Sequence, residues 1–353
     1  MKTFYCFLIS VLLVSFSYEA VSQMDRKTIR KNNRRQTSFR GKKFDFGKEK
    51  QYYTLGFSVN ALNYYGDLAP NIGRFSTDIS FTRPAFGLSA SHRFGPRYTL
   101  AAAFMYGALR GSDVSSADEN DLRNGVYRYN RNLSFRNRIK ELSVTAIFDL
   151  NENQATYMSK VSWTPYAFIG VSAFHHNPQA LAPAFGLDNQ SLAEAGQWVS
   201  LRDLGTEGQH ANLLATDANY GIKPYKLIQF AIPIGVGARF KINDLFDFSG
   251  EIGFRYLFTD YIDDVSRNYV DLGVFDTELA RALSYRSNEL TKPDIAREPI
   301  VARNGVTYDV IPGYGVEFPT NNRGKKNDKD IFMVTTLKLT YIIGKTFHRA
   351  KFR

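Results

Sequence analysis

Eight segments of this 353-residue chain alternate apolar residues with small or polar ones at a period of two. In the first segment Tyr53, Leu55, Phe57 and Val59 share one face, while threonine, glycine and serine occupy the other. Successive side chains of a strand point to opposite faces, so this pattern predicts strands that separate two environments. One such segment also suits a soluble half-buried sheet. Eight segments with aromatic ends indicate a transmembrane barrel, whose strands need about 9–11 residues.

The alternation predicts eight barrel strands, at about 52–65, 83–94, 97–109, 136–150, 161–174, 227–240, 246–258 and 331–343. The fifth is the least regular, because Trp163, Tyr166, Phe168 and Phe174 do not fall on one face. Pro233 lies within the sixth and removes one backbone donor. We therefore expect a bulge or a strained pairing there.

The connections between these strands run long, short, long, short, long, short, long. A barrel with both chain ends in the periplasm has short turns on that side and longer loops outside, and it has an even number of strands. Helical spacing adds short helices at 191–204, 211–218 and 274–288. The prediction is all-β: an eight-stranded antiparallel transmembrane β-barrel with short periplasmic turns and long extracellular loops, the last two containing some helix. A soluble lipocalin-like barrel is the alternative, but it would need an apolar interior.

The N-terminus has the features of an export signal. A lysine at position 2, an apolar run over 4–16 and the small residues Ala20 and Ser22 predict a secretory signal peptide over residues 1–22. The only cysteine, Cys6, lies within it, so disulfides, thiolate catalysis and cysteine-ligated zinc are excluded from the mature chain. The exported barrel domain, residues 51–353, is then expected in the outer membrane of a Gram-negative cell, in contact with its lipid.

A basic leader, residues 23–50, separates the signal from the barrel. Residues 24–50 hold eleven Lys and Arg against three acidic residues, which is most of the net charge of +11. Such a run buries too little apolar surface to offset its ordering entropy, so we expect it to be solvated and disordered in the periplasm. A docking arm for an acidic partner or anionic headgroups is the alternative. Nucleic acid is not expected as a partner of an exported chain.

Five charged residues fall on the inward faces of the predicted strands: Glu141, Arg239, Glu251, Arg255 and Lys338. An eight-stranded barrel is narrow enough for side chains to fill it. Charges of both signs should pair there, because an unpaired buried ion costs on the order of several kcal/mol. These residues therefore predict a packed ionic plug rather than a diffusion pore, with a selective conduit as the alternative.

The sequence offers little sign of catalysis. The spacing of Ser, His and Asp residues matches no distinctive catalytic arrangement, so we predict a non-enzymatic protein without cofactor or small-molecule substrate. His175 and His176 are adjacent and would point to opposite faces of a strand, which disfavours a metal site.

An acidic group follows the seventh strand: Asp260, Asp263, Asp264 and Asp271. These residues could bind calcium, but they lack the spacing and the glycine of an EF-hand loop. We expect them instead to cap the helix of that loop and to pair with two basic residues nearby, Arg267 and Arg281.

Two motifs resemble one known family. The first strand ends in Asn63, Tyr64, Tyr65, Gly66, Asp67 and Leu68, and the loop after the seventh strand carries DYIDDVS over residues 260–266, then YVD over 269–271 and RSN over 286–288. Over roughly residues 52–347 the chain resembles the PorG-like outer-membrane proteins. The resemblance implies a small barrel of the type IX (Por) secretion system, which exports cargo and supports gliding in some bacteria. It also implies association with a periplasmic ring of PorK- and PorN-like proteins. That family supplies no catalytic residues to transfer, and the long basic leader departs from its pattern.

Two classes of function follow. In the first, the barrel fixes a periplasmic secretion ring to the outer membrane, and the leader and the short turns at Gly95, Asn151 and Asn243 contact the ring. In the second, the protein is a passive OmpA/OmpX-like barrel, a narrow porin or an adhesion protein, whose loops meet ligands outside the cell.

Overall fold

The computed structural model describes residues 46–47, 50–69, 82–122, 125–290, 296–326 and 329–344. The predicted signal peptide and all but three residues of the basic leader lie outside the described residues. Twelve strands are present in the described ranges, in chain order β1 Tyr52–Tyr65, β2 Arg83–Arg93, β3 Tyr98–Ser112, β4 Ser134–Asp149, β5 Trp163–His175, β6 Pro178–Leu181, β7 Trp198–Ser200, β8 Ile228–Lys241, β9 Phe246–Leu257, β10 Glu298–Val301, β11 Thr307–Val310 and β12 Ile331–Gly344.

Eight long strands close into one antiparallel barrel. Their order around the barrel is β3-β2-β1-β12-β9-β8-β5-β4, and the pairing of β3 with β4 closes the ring. The first and last strands are neighbours, with Tyr52 opposite Gly344 and Tyr65 opposite Ile331. All eight predicted strands lie within three residues of the observed bounds. The prediction of an eight-stranded antiparallel barrel is confirmed.

The outer face of the barrel is apolar along its whole circumference. Tyr53, Leu88, Val171 and Phe230 are examples, each between 53% and 66% exposed. This is the surface that a transmembrane barrel presents to lipid, whereas a soluble barrel would bury it. The alternative of a lipocalin-like soluble barrel is therefore wrong.

The strand that looked irregular alternates strictly. In β5 Trp163 points outward, whereas Tyr166, Phe168 and Phe174 point inward and are buried. The sequence pattern is ambiguous because large aromatic side chains occupy both faces.

Pro233 lies in β8 and disturbs its pairing locally. The pairing of β5 with β8 is interrupted at Ile232 and Pro233. It continues in the same register on both sides, since Ile169 is opposite Ile234 and Ser172 is opposite Ala231. The strand has no bulge, but the pairing is disturbed at Pro233, in agreement with the other expectation.

Two short hairpins add to the barrel at the end with the long connections. Strand β6 pairs with the start of β4 and β7 pairs with β6, so this hairpin extends the barrel wall. Strands β10 and β11 form a separate two-stranded sheet.

Helical structure is limited to short pieces in the long loops: α1 Asp113–Ser116, α2 Gly125–Arg131, α3 Leu201–Leu204, α4 Glu278–Ser284, and 3-10 turns at Leu272–Val274 and Arg286–Glu289. The helix predicted over 274–288 is confirmed in part by α4. The helix predicted over 191–204 is reduced to α3 after strand β7.

The helix predicted over 211–218 is wrong, because this stretch forms turns. The backbone N–H of Leu214 donates to Asp217 Oδ2 at 2.8 Å, so the side chain competes with helical hydrogen bonding. Within the described residues, no helix has the length and apolar character needed to cross a membrane.

The barrel interior has two layers. Near the short turns it is polar and charged. Near the long loops it is apolar, with Leu62, Leu109, Phe135, Ile139 and Phe332 in one buried cluster. Loop residues Ile262, Val265 and Leu283 belong to the same cluster, so the loops pack into the mouth of the barrel. This packing sets the position of the polar residues described next.

Candidate functional site

The long connections fold together over one end of the barrel. We call the described parts of these connections the loop cap: residues 66–69, 113–122, 125–133, 176–227, 258–290, 296–326 and 329–330. The loop cap holds most of the buried charged residues outside the barrel, and both motifs that carry the family resemblance meet there.

Tyr64 joins the two motifs. Its hydroxyl lies 2.6 Å from Asp263 Oδ2 and 2.9 Å from Asp330 Oδ1, and all three side chains are buried. Residues nearly 200 positions apart in the sequence thus share one hydrogen-bonding group. The neighbouring Tyr65 ends β1 and is half-buried.

A proton must be shared within this group. The tyrosine hydroxyl has one hydrogen and can donate it to only one carboxylate. We therefore expect the second carboxyl to be protonated and to donate to the tyrosine oxygen. Burial, followed by the negative charge of nearby aspartates, raises the pKa of both Asp263 and Asp330 well above the ordinary value, in agreement with the geometry.

Gly66 leaves the space that this arrangement needs. A Cβ on Gly66 would collide with the Tyr64 hydroxyl and with Asp330 Oδ1. Next to it, Asp67 is buried and its Oδ2 accepts a hydrogen bond from the backbone N–H of Lys325 at 2.8 Å. Burial raises the pKa of Asp67 as well. The first motif is therefore a compact structural unit at the rim of the barrel.

Arg131 ties three loops together from the end of α2. Its guanidinium makes a bidentate pair with Asp113, with Nε and Nη2 each 2.8 Å from a carboxylate oxygen. The same side chain donates to the carbonyl of Asp67 at 2.8 Å and to that of Arg323 at 2.6 Å. Bidentate pairs of this kind have fixed geometry and are among the stronger polar contacts in proteins.

Arg323 forms a second buried junction. Its Nη1 lies 3.2 Å from Glu207 Oε1 and 2.6 Å from the carbonyl of Asp264. Glu207 also accepts the backbone N–H groups of Ser266 at 2.9 Å and of Arg267 at 3.0 Å. The acidic loop after β9 is held in place by this junction.

The remaining aspartates of the second motif accept hydrogen bonds from hydroxyl groups. Asp264 accepts from Tyr225 at 2.7 Å and from Thr206, and burial raises its pKa to about 6. Asp260 accepts from Ser266 Oγ at 2.6 Å, and burial raises its pKa to about 9. Asp264 also adopts a positive φ of 69°, which is uncommon for a residue with a Cβ.

The expected partners of these aspartates are wrong. Arg281 pairs with Glu278, and Asp264 faces Arg323 rather than Arg267. Only Asp271 caps a helical turn, since its side chain accepts from Gly273 N, while Thr277 caps α4. Asp263 and Asp264 are buried and bond instead to Tyr64, Thr206 and Tyr225, which lie elsewhere in the chain.

The five inward-facing charges of the barrel lie among partners of opposite sign. Arg255 Nε is 2.9 Å from Glu141 Oε1, and Lys338 Nζ contacts Glu251 Oε1. Arg239 Nη1 is 3.4 Å from Asp149 Oδ2. Each of the five predicted residues thus has an ion-pair partner inside the barrel, although Lys338 and Glu251 lie on neighbouring strands.

Sequence reasoning missed part of this set. Asp149 also accepts from Arg93 at 2.5 Å, and Lys160 lies 2.5 Å from Asp247 near the short turns. Arg93 and Asp149 are the last residues of their strands. The alternation of each strand places them on the inward face, so the sequence pattern could have identified them as lumen residues. Lys160 lies in a turn, where the alternation of strand residues gives no information about direction.

The lumen has little free space. Its described cavity near the short turns, bordered by Tyr166, Arg239 and Lys338, has a volume of about 30 Å³. That volume holds one or two water molecules. Ion pairs fill the interior near the short turns, and apolar side chains fill the interior near the loop cap.

Neither of the two histidines at the end of β5 belongs to a metal-binding group of the described residues. His175 is exposed, whereas His176 is buried, with Nε2 3.1 Å from the carbonyl of Lys226 and its ring against Tyr225. Burial lowers the pKa of His176 to about 4. Among the described residues, no group of three His, Cys, Asp or Glu side chains is arranged to hold a metal ion.

The closed sheet, its apolar outer face and its polar interior decide the class of protein. The chain is an outer-membrane-type β-barrel. A family described as a domain of unknown function (DUF6089) matches residues 44–191, which is under half of the chain. The match includes the first motif but not the second. No curated protein matches the chain at a significant level.

Several solved outer-membrane structures are similar at low identity. Neisserial surface protein A (NspA) is 7% identical, with a TM-score of 0.33, over 82% of this chain and 96% of that one. OprG from Pseudomonas aeruginosa is 8% identical, with a TM-score of 0.33, over 85% and 100%. A major outer membrane protein from Thermus thermophilus is 11% identical, with a TM-score of 0.33, over 82% and 99%. At such low identities and TM-scores these likenesses support no assignment of function, and the fold rests on the strand pairing itself.

Proposed function

We propose that this protein is a non-enzymatic, non-conducting barrel of the outer membrane that anchors a periplasmic assembly. The observation that carries the proposal is the filled interior. The Arg255–Glu141 pair crosses the lumen, Lys338 and Glu251 pair between neighbouring strands beside it, and the apolar cluster with the loop cap fills the end near the long loops. A barrel whose interior is filled at both ends offers no path for a solute. Its function therefore depends on its outer surface, its turns and its loops.

The assembly we propose is the type IX (Por) secretion and gliding machinery, with its ring of PorK- and PorN-like proteins. The support is the resemblance of the two motifs to PorG-like proteins. In this fold the motifs meet, because Tyr64 of the first lies 2.6 Å from Asp263 of the second. The basic leader and the turns at Gly95, Asn151 and Asn243 lie on the periplasmic side in this proposal and contact the ring.

The orientation can be tested with thiol labelling, because Cys6 is the only cysteine and lies in the predicted signal peptide. Leu122→Cys places a thiol at a loop-cap position that is 83% exposed. Met158→Cys places one in the short turn between β4 and β5, at 52% exposure. We expect an impermeant maleimide to label the first variant and not the second on intact cells. The reverse result would contradict the proposed orientation.

The secretion role can be tested by deletion. A strain that lacks this protein should retain its cargo inside the cell, and a chain that lacks residues 24–50 should recover less of the ring proteins in a pull-down. Replacing Lys223, Lys226 and Lys326 of the loop cap with glutamine is a control for loss of exposed positive charge on the opposite side. Normal export in the deletion strain would contradict the secretion role.

A passive barrel is the second candidate, as an OmpA/OmpX-like protein, a narrow porin or an adhesion protein. It is favoured by a groove of about 520 Å³ in the loop cap, bordered by Phe185, Leu187 and Tyr285. Steady conductance of the purified protein in a planar bilayer would favour the porin. Binding of cells to surfaces that depends on Phe185 would favour adhesion.

A further inference from the structure

The charged side chains on the outer face of the barrel are all basic and lie in one place. All eight barrel strands are described, and their outward positions carry four such residues, Arg110, Arg136, Arg138 and Lys140. Every charged residue of the other six strands is at an inward position. We call these four residues the basic wall. It covers the ends of β3 and β4 nearest the loop cap.

The basic wall brings like charges together. Arg110 lies directly opposite Arg136 in the β3–β4 ladder, and the next two rows place Arg138 opposite Ala108 and Lys140 opposite Tyr106. Cβ atoms of directly opposed residues are about 5 Å apart, and like charges at that distance destabilise a sheet. Arg110, Arg138 and Lys140 are exposed, and none of them forms an ion pair with a carboxylate of the described residues. An anion bound between them would remove the repulsion.

One member of the wall is held in a fixed position. The guanidinium of Arg136 lies 3.8 Å from the centre of the Trp198 ring, and it donates to Gln179 Oε1 at 3.1 and 3.2 Å. Both partners belong to the β6–β7 hairpin, which extends the sheet of the barrel beside β4. A cation–aromatic contact of this kind orients the charge and leaves little entropy to lose on binding.

The wall lies at the border of the apolar surface. Tyr106 lies beside Lys140, and Phe104 and Leu142 face each other in the next row below; all three are exposed. Residues two apart on a strand are separated by about 6–7 Å, so Lys140 lies about that far above Leu142 along β4. A lipid whose acyl chains rest on the apolar surface would place its headgroup against the wall.

We propose that the basic wall binds the phosphate groups of a phosphorylated glycolipid of the lipid A type in the outer leaflet. This inference rests on the proposed orientation, which places the loop cap outside the cell. Arginine side chains bind phosphate oxygens in a bidentate manner, and lysine adds a point charge. The adjoining apolar surface identifies the source of the phosphate as a lipid rather than a soluble ion.

The test uses the purified full-length chain in detergent micelles and measures lipid binding by native mass spectrometry. The probes are bisphosphorylated lipid A, dephosphorylated lipid A and phosphatidylglycerol, with inorganic pyrophosphate as a competitor. The wall variant is Arg110→Gln, Arg138→Gln, Lys140→Gln. The control variant is Lys223→Gln, Lys226→Gln, Lys326→Gln, which removes the same charge from exposed positions of the loop cap. The shift of folded barrels on unheated SDS gels shows that each variant is folded.

We expect the wild type and the control to prefer bisphosphorylated lipid A, and the wall variant to bind it about 100-fold more weakly. Each basic residue near an anionic surface contributes a factor of about five. Lys140→Gln alone should therefore weaken binding about fivefold.

Three results would overturn the inference: unchanged affinity of the folded wall variant, equal binding of dephosphorylated lipid A or phosphatidylglycerol, or full displacement by pyrophosphate. Thiol labelling that places the loop cap outside the cell, together with no lipid binding, would refute this inference alone. Labelling that places the cap inside would refute the proposed orientation instead.

Discussion

The pair between Arg131 and Asp113 gives the sharpest test of the loop cap. Arg131 is 3% exposed and Asp113 is fully buried. Replacing Arg131 with methionine keeps much of the volume but leaves the carboxylate without its bidentate partner. It also removes the donors to the carbonyls of Asp67 and Arg323. Loss of one partner of a buried ion pair costs about 3–5 kcal/mol.

Hydrogen–deuterium exchange can measure this loss in the cap and in the barrel separately. A loss of about 3–5 kcal/mol corresponds to amide exchange faster by a factor of roughly 100 to several thousand in the loop cap. The strand amides of the barrel should change far less, because their ladders do not include Arg131.

Two further variants check the reasoning. Arg128→Met is the matched control, because Arg128 also approaches Asp113 but only through Nε at 3.3 Å, and we expect a loss of about 1–2 kcal/mol. Adding Asp113→Asn to Arg131→Met should recover part of the protection, because it removes a buried charge that, of its two arginine contacts, keeps only the weaker one with Arg128. Cap amides that exchange no faster in Arg131→Met than in the wild type would refute this account of the cap.

Three other predictions concern the same buried groups. Gly66→Ala should lower the free energy of unfolding of the cap by about 1–3 kcal/mol, because its Cβ overlaps the Tyr64 hydroxyl; exchange of cap amides measures this. Protection of the cap should fall as pH rises from about 4 towards 9. The raised pKa values of Asp260 and Asp330 mean that protonated carboxyls stabilise the fold, and Asp330→Asn should flatten this dependence in a pH series of exchange rates. Lys338→Met leaves Glu251 without its cation and should lower the urea midpoint of the barrel, whereas Lys326→Met on the surface should not.

The barrel could be predicted from the sequence because its two environments impose a period of two on every strand. Tyr53, Leu55 and Phe57 follow this period, and all three are exposed on the outer face of the barrel. The loop cap follows no such rule. Its order comes from contacts between distant residues, such as Tyr64 with Asp330 and Arg131 with the carbonyl of Arg323. The aspartates of the second motif could be recognised as a group, but Asp263 and Asp264 bond to residues far away in the sequence, so local spacing suggested the wrong arginines.

The contact between Tyr64 and Asp330 has a consequence for assembly. Asp330 immediately precedes β12, the strand that completes the ring beside β1. The proton-sharing group can therefore form only after the last strand has joined the first. A chain whose last strand has not yet joined the first would therefore lack this contact at the rim of the barrel.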